Sequence, residues 1–193
     1  MDLPIILIGP MATGKTTIGR VLAHKLGLEH HDLDEKRWEY HNEIGYDQAL
    51  AAKIASEEGS FALARFYWKP FDLHAVERGL VDFADGVIGF GAGNSVYEDE
   101  AMFERAQRLL APYANVILLS PCPDFDESAA ILKRRYMAQE PDNEINPQEL
   151  ELIDYFLRHP SNQRLAKHVV FTEGKSPEQT SDEIIQLLSK VSK

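Results

Sequence analysis

The sequence predicts an α/β fold, in which a mostly parallel sheet is covered by helices on both faces. Short apolar runs, often punctuated by glycine, alternate along the chain with segments whose apolar residues repeat at the helical period. The runs expected to form five strands are residues 5–8, 30–34, 87–90, 116–119 and 168–172. The helical segments that alternate with them are residues 15–26, 98–110, 126–138 and 177–188.

The length and composition predict one domain. The chain has 193 residues, 44% of them hydrophobic, and a chain of this size buries about two-thirds of its unfolded surface. Because no repeat, low-complexity tract or Gly/Ser linker marks a boundary, we expect a single domain over residues 1–193. The Pro- and Asn-rich interval 139–148 favours a long loop, and we expect a mobile lid inserted at about residues 136–150.

The charge of the chain limits its partners. A formal net charge of −11 opposes binding to nucleic acids and to anionic membranes, which depends on Lys and Arg contacts. The first residues lack the basic region of a signal peptide, and no apolar run approaches the ~20 residues of a membrane span. The single cysteine, Cys122, has no partner for an internal disulfide. We therefore expect a cytoplasmic protein that acts on a small molecule.

The strongest motif is a phosphate-binding loop at residues 9–16. Gly-Pro-Met-Ala-Thr-Gly-Lys-Thr follows the first predicted strand and opens the first predicted helix, as the G-x4-G-K-[ST] pattern requires. Its backbone N–H groups and the helix N-terminus are expected to cradle phosphates, with Lys15 at the outer phosphates and the Thr16 hydroxyl on Mg²⁺. The residues expected to bind ATP here are Gly9, Ala12, Thr13, Gly14, Lys15, Thr16 and Thr17.

Two carboxylates follow the second predicted strand. Asp32 and Asp34 are two residues apart, so an extended strand would place both on one face at the carboxyl edge of the sheet. One could hold a magnesium-bound water while the other accepts a hydroxyl proton during phosphoryl transfer. The alternative is that one of them only caps a helix that begins near Glu35. A second glycine turn, residues 89–93, ends the third predicted strand at the same edge.

These segments resemble the shikimate kinase family, small kinases of about this length. The matching segments are residues 9–34, with the Gly-Lys-Thr-Thr and Asp-Leu-Asp motifs, residues 85–93, with Gly-Ala-Gly, and residues 158–166, Arg-His-Pro-Ser-Asn-Gln-Arg-Leu-Ala. The resemblance implies a three-layer α/β/α P-loop NTPase fold with a mobile lid. It also implies catalytic roles for Lys15 and Asp34, with Thr16 and Asp32 serving Mg²⁺ and Asp34 contacting the acceptor hydroxyl.

The same resemblance implies an acceptor site and an adenine contact. Gly91 and Gly93 would line the acceptor site, and Arg158 would grip an acceptor carboxylate. Arg134 and Arg135 fall where a family arginine covers the adenine.

The chain also departs from the family pattern. Ala92 replaces the middle glycine of the family's trio, and Arg65, the candidate for a second acceptor-binding arginine, falls one place late. The family's lid arginine has no counterpart, since the segment 137–156 contains neither Lys nor Arg and carries six acidic residues.

The expected function is an ATP-dependent kinase, a phosphotransferase with an alcohol group as acceptor. Because the acidic lid disfavours a carboxylate, the acceptor could instead be a sugar, a nucleoside or an aminocyclitol. A nucleotide-binding regulatory module without transfer activity is a further alternative. The phosphate loop also resembles that of tRNA dimethylallyltransferases, although the acidity of the chain opposes RNA binding.

Overall fold

A five-stranded parallel sheet forms the centre of the protein. The structure, a computed structural model, describes residues 2–56, 61–139 and 147–191, without the side chains of residues 55, 61–65 and 191. The strand order is β2-β3-β1-β4-β5, and each neighbouring pair is parallel. The strands are β1 (Ile5–Ile8), β2 (His30–Asp32), β3 (Val87–Gly89), β4 (Val116–Ser120) and β5 (His168–Phe171).

Helices cover both faces of this sheet. They are α1 (Lys15–Leu26), α2 (Leu33–Glu43), α3 (Gln48–Ser56), α4 (Phe61–Asp82), α5 (Glu100–Leu110), α6 (Phe125–Gln139), α7 (Pro147–Arg158), α8 (Pro160–Leu165) and α9 (Pro177–Val191). A short 3₁₀ helix, Ala92–Ser95, follows β3. The α/β fold with a five-stranded parallel sheet between helical layers is thus confirmed.

The central strand β1 shows why the sheet needs two covering layers. All four of its side chains are buried, and successive side chains of a strand point to opposite faces. Ile6 and Ile8 pack in a core with residues of α4 and α5, whereas Ile5 and Leu7 pack in a second core with residues of α1 and α9. A continuous apolar run is therefore satisfied only when helices lie on both sides.

The parallel arrangement brings three segments of the predicted site to one edge of the sheet. The carboxyl ends of β1, β2 and β3 lead into the phosphate loop, the Asp32–Asp34 segment and the second glycine turn, respectively. Ligands of open parallel sheets gather at this edge. The fold thus collects the predicted site segments from three separate parts of the chain.

Two sequence expectations concern regions that the structure describes only in part. The expected lid at about residues 136–150 comprises the end of α6, the start of α7 and residues 140–146, which lie outside the described residues. The lid and the single-domain organisation therefore stay predictions. Among the described helices, none is long and apolar enough to cross a membrane, and the cytoplasmic location stays a prediction.

Candidate active site

The loop between β1 and α1 has the backbone geometry of an anion cradle. Gly9, Ala12 and Gly14 have positive φ angles of 136°, 59° and 91°. At Gly9 an added Cβ would lie 2.5 Å from the carbonyl oxygen of Leu119, so no other residue fits. Gly14 is the N-cap of α1 and supplies no side-chain cap, which leaves the first N–H groups of the helix available to an anion.

Lys15 lies within this loop. Its Nζ donates hydrogen bonds to the carbonyl oxygens of Gly9, at 2.8 Å, and Pro10, at 2.7 Å. Burial lowers the pKa of the Lys15 ammonium to about 8, although the carboxylates of Asp34 and Asp32 oppose the shift. A phosphate in the cradle would give this desolvated cation a charged partner.

Thr16 and Asp32 place two oxygen atoms beside the cradle. The Thr16 hydroxyl donates a hydrogen bond of 2.8 Å to Oδ2 of Asp32. Oδ1 of Asp32 accepts from the backbone N–H of Asp34 at 3.1 Å, so Asp32 also caps α2. The sequence left open whether Asp32 caps a helix or serves the phosphate site. Its side chain both caps α2 and contacts Thr16 beside the phosphate loop.

This pair of oxygens is compatible with Mg²⁺. Within the described ranges no group of three or more His, Cys, Asp or Glu side chains could hold a metal ion. Mg²⁺ does not need such a cage, because it is usually held by one or two protein oxygens together with water and substrate phosphates. A threonine hydroxyl and a carboxylate beside an anion cradle fit that requirement.

Asp34 lies in the first turn of α2. The expectation that residues 30–34 form a strand is wrong for the last two of them, because capping by Asp32 starts the helix at Leu33. Asp34 is exposed, yet desolvation by the surrounding protein raises the pKa of its carboxyl, as does Asp32, while Lys15 and Arg37 oppose the rise. Its Oδ1 would lie 2.3 Å from a Cβ at Gly91, so the glycine allows this carboxylate to lie against the second glycine turn.

Two cavities meet at Asp34. The first, of about 430 Å³, is lined by the phosphate loop, by Thr16 and Thr17, and by Asp32. The second, of about 260 Å³, lies between α2, α4 and α7. Met11, Asp34 and Ala92 line both cavities. A group bound in one cavity would therefore face a group bound in the other across the Asp34 carboxylate.

Comparison with known proteins finds similarity to shikimate kinases, both with a family model and with individual sequences. A family model described as shikimate kinase matches residues 11–53. A shikimate kinase from Streptomyces coelicolor is 29% identical over 180 residues, which cover 92% of this chain and 90% of the relative. The chain is thus similar in sequence to shikimate kinases over most of its length.

Solved structures share the fold. A shikimate kinase from Acinetobacter baumannii in complex with shikimate matches with a TM-score of 0.62 and 21% identity, covering 97% of this chain and 93% of its own. A gluconokinase from Sinorhizobium meliloti matches with a TM-score of 0.58 and 12% identity, covering 99% of this chain and 95% of its own. These similarities support the P-loop kinase fold.

The second cavity contains charged residues that sequence reasoning missed. Lys69 and Asp72 are 3% and 6% exposed, and Nζ of Lys69 lies 3.8 Å from Oδ2 of Asp72. Lys69 also donates a hydrogen bond of 3.1 Å to the carbonyl oxygen of Gly93. A Cβ at Gly93 would lie 2.9 Å from Oδ2 of Asp72, so this glycine admits the ion pair. The cavity is further lined by Arg37, Trp68, Asn94, Leu152 and Phe156.

Helical spacing was the available signal for these residues. Arg37 follows Asp34 by three positions, and Asp72 follows Lys69 by three, so each pair shares one helix face. The sequence did not indicate that the two faces point into one cavity. That depends on the packing of α2 against α4, which are close neighbours in the fold.

The arginines that the resemblance assigned to ligands are held elsewhere in this structure. Arg158 is paired with Asp126 and lies 3.8 Å from Asp154, and it is not among the residues that line either cavity at Asp34. To contact an acceptor, it would have to leave both carboxylates. Its role in binding an acceptor stays a prediction.

The ligand contacts expected of Arg65, Arg134 and Arg135 also stay predictions. Arg135 donates hydrogen bonds to Thr172, at 3.1 Å, and to Glu173, at 2.6 Å, and Arg134 lies 3.7 Å from Glu173. These pairs hold both arginines beside the loop after β5. Arg65 lies within α4, but its side chain is outside the described part of the chain.

Proposed function

We propose that this protein is an ATP-dependent kinase that transfers the terminal phosphoryl group of ATP to a hydroxyl group of a small metabolite. The observation that carries the proposal is the position of Asp34, which lines both the phosphate-loop cavity and the second cavity. Phosphoryl transfer requires a donor and an acceptor held in line, with little covalent chemistry left to the protein. Two cavities that meet at one carboxylate suit that requirement.

ATP binds with its phosphates in the cradle of the loop. The backbone N–H groups at the start of α1 and the Lys15 ammonium hold the phosphates, and the hydroxyl of Thr17 lines the same cavity. Thr16 and Asp32 hold Mg²⁺, directly or through water. When bound, Mg²⁺ neutralises charge on the phosphates. Arg134 and Arg135 lie at the adenine.

Asp34 receives the acceptor hydroxyl. A carboxylate with a raised pKa can accept a proton, or it can orient the hydroxyl toward the phosphate. Gly91 allows it to take this position. Lys15, which lines the phosphate-loop cavity, stabilises the negative charge of the phosphoryl group during its transfer.

The acceptor occupies the second cavity, against Gly93 and Lys69, and Gly91 lies beside Asp34 at its edge. Shikimate is the first candidate, because the relatives are shikimate kinases and one solved structure contains shikimate. Arg65 and Arg158 are further candidates for acceptor contacts. The relatives favour neither a sugar, nucleoside or aminocyclitol acceptor nor a binding module without transfer activity.

Acceptor-dependent release of ADP tests this function. We expect ADP release from ATP and Mg²⁺ to depend on shikimate and to be lost in Lys15→Ala. Gluconate, a nucleoside and an aminocyclitol serve as alternative acceptors in the same assay. ADP release that no hydroxyl compound stimulates would contradict the proposal.

A further inference from the structure

Arg37 has an arrangement that the phosphate cradle does not explain. It lies on α2, one turn after Asp34, and lines the second cavity. Its guanidinium carbon lies 5.3 Å from the ring centroids of both Trp38 and Trp68. Stacking on indole rings restricts the orientation of a guanidinium group without neutralising its charge.

The charge of Arg37 has no close counterpart in the part of the chain that the structure describes. Its guanidinium makes no ion pair within 4 Å there, and its Nε is enclosed and has no hydrogen-bond partner among those residues. An enclosed donor without a partner is costly, more so on a charged group. A carboxylate in the cavity that Arg37 lines would give the guanidinium group a counter-charge.

The other cation of the cavity is in a different situation. Lys69 has Asp72 at 3.8 Å and the Gly93 carbonyl oxygen at 3.1 Å, so its charge is largely compensated within the protein. Arg37 is therefore the cation of this cavity that has no ion pair within 4 Å among the described residues, and the Asp34 carboxylate, which lines the same cavity, acts on it only from a longer distance. A planar guanidinium group suits a carboxylate in particular, since it can donate two parallel hydrogen bonds to the two oxygens.

We propose that Arg37 binds a carboxylate of the acceptor and thereby makes this kinase specific for hydroxy acids. The inference rests on the proposed function and adds to it the residue that selects the acceptor. It also gives a reason why an acidic lid need not exclude a carboxylate, because the opposing cation lies inside the cavity.

Binding of shikimate and of its uncharged methyl ester tests the assignment. The chain has two tryptophans, and both contact Arg37, so their fluorescence reports directly on this site. Each ligand is titrated in the presence of Mg²⁺ and ADP, and the KM for each is measured where turnover occurs. We expect the wild type to prefer shikimate over the ester.

Three variants separate charge recognition from a structural role. Arg37→Met should weaken shikimate binding about tenfold to a hundredfold, the loss typical of a charge-assisted hydrogen bond, and leave ester binding nearly unchanged. Arg37→Lys should keep part of the preference for the acid. Arg108→Met removes an arginine that is 70% exposed on α5 and should change neither affinity.

The outcomes distinguish this inference from the proposed function. Equal weakening of acid and ester in Arg37→Met, or no weakening, would overturn the role of Arg37, as would failure of the wild type to bind shikimate. Turnover without dependence on Arg37 would overturn the inference alone. Binding that depends on Arg37 without any ADP release would support the inference and contradict the kinase proposal.

Discussion

The Asp34 carboxylate lies against Gly91 so closely that a Cβ on that glycine would be 2.3 Å from Oδ1. The two residues come from different segments of the sheet edge: Asp34 lies in the first turn of α2, directly after β2, and Gly91 follows β3. Gly91 thus permits the position that Asp34 takes in lining both cavities. A substitution at Gly91 should therefore affect the position of Asp34 more than the fold.

Gly91→Ala should lower kcat by about 100-fold, because a shift of about 1 Å in a reacting group can have an effect of that size. The melting temperature should change less than kcat, since the clashes are with the ends of two side chains, Asp34 and, at 2.8 Å, Asn94, and not with the backbone. The matched control is Gly89→Ala, whose Cβ would make only ordinary contacts at 3.5 Å or more. Equal kcat values for the two variants would show that Asp34 does not depend on Gly91.

The affinity of the protein for ADP, measured in the presence of Mg²⁺, should fall as the pH rises above about 8. The pKa of Lys15 is lowered from 10.5 to about 8 in the nucleotide-free protein. Phosphates favour the charged ammonium, so binding is strongest below this pKa and weakens as the lysine loses its proton above it. The limiting slope is about tenfold per pH unit. Calorimetric titrations of ADP between pH 7 and pH 10 measure how the affinity changes with pH.

Lys15→Arg is the control for that pH dependence. An arginine keeps its charge throughout this range, so the slope should disappear even if the absolute affinity is lower. A wild-type affinity that stays constant from pH 7 to pH 10 would mean that Lys15 remains charged throughout.

Asp34→Asn should lower kcat by about 100-fold or more, the usual contribution of a positioned general base. Nucleotide affinity should change little, because the phosphate cradle is built from other residues. In the wild type, kcat/KM for the acceptor should fall as the pH drops through the pKa of Asp34, which lies above the ordinary value of 3.8. The acidic limb of the profile should be absent in Asp34→Asn. If the acidic limb were unchanged in Asp34→Asn, the titration that causes it would belong to another group.

Thr16→Val should raise the Mg²⁺ concentration needed for half-maximal activity by about tenfold or more, because both a ligand and its hydrogen bond to Asp32 are lost. Thr16→Ser keeps the hydroxyl and should resemble the wild type. The rate is measured over a Mg²⁺ series at a saturating ATP concentration. Similar Mg²⁺ dependence in Thr16→Val and Thr16→Ser would exclude the hydroxyl from the metal site.

The parts of the site that are local in sequence could be predicted. The strand, glycine loop and helix of residues 5–26 are contiguous, and their spacing alone gives the cradle around Lys15. The parallel alternation of strands and helices also predicted that the ends of β1, β2 and β3 would meet at one edge. These inferences need only local periodicity and the geometry of parallel sheets.

The second cavity could not be predicted in the same way. Arg37 and Lys69 come from helices whose relative packing is set by distant contacts, and the sequence offered no marker for it. The choice of Arg158 followed a motif, whereas its position depends on Asp126, which lies on α6. The boundary of β2 was placed two residues late because a capping aspartate and a strand aspartate look alike in sequence.

Detection of the phosphorylated acceptor itself tests most directly whether this protein is a kinase. Purified protein is incubated with ATP, Mg²⁺ and shikimate, and the products are followed by ³¹P NMR and mass spectrometry beside Asp34→Asn. A new phosphate monoester of shikimate should form in step with ADP and be nearly absent in the variant. Inorganic phosphate as the only product besides ADP, or no consumption of ATP at all, would contradict the kinase proposal.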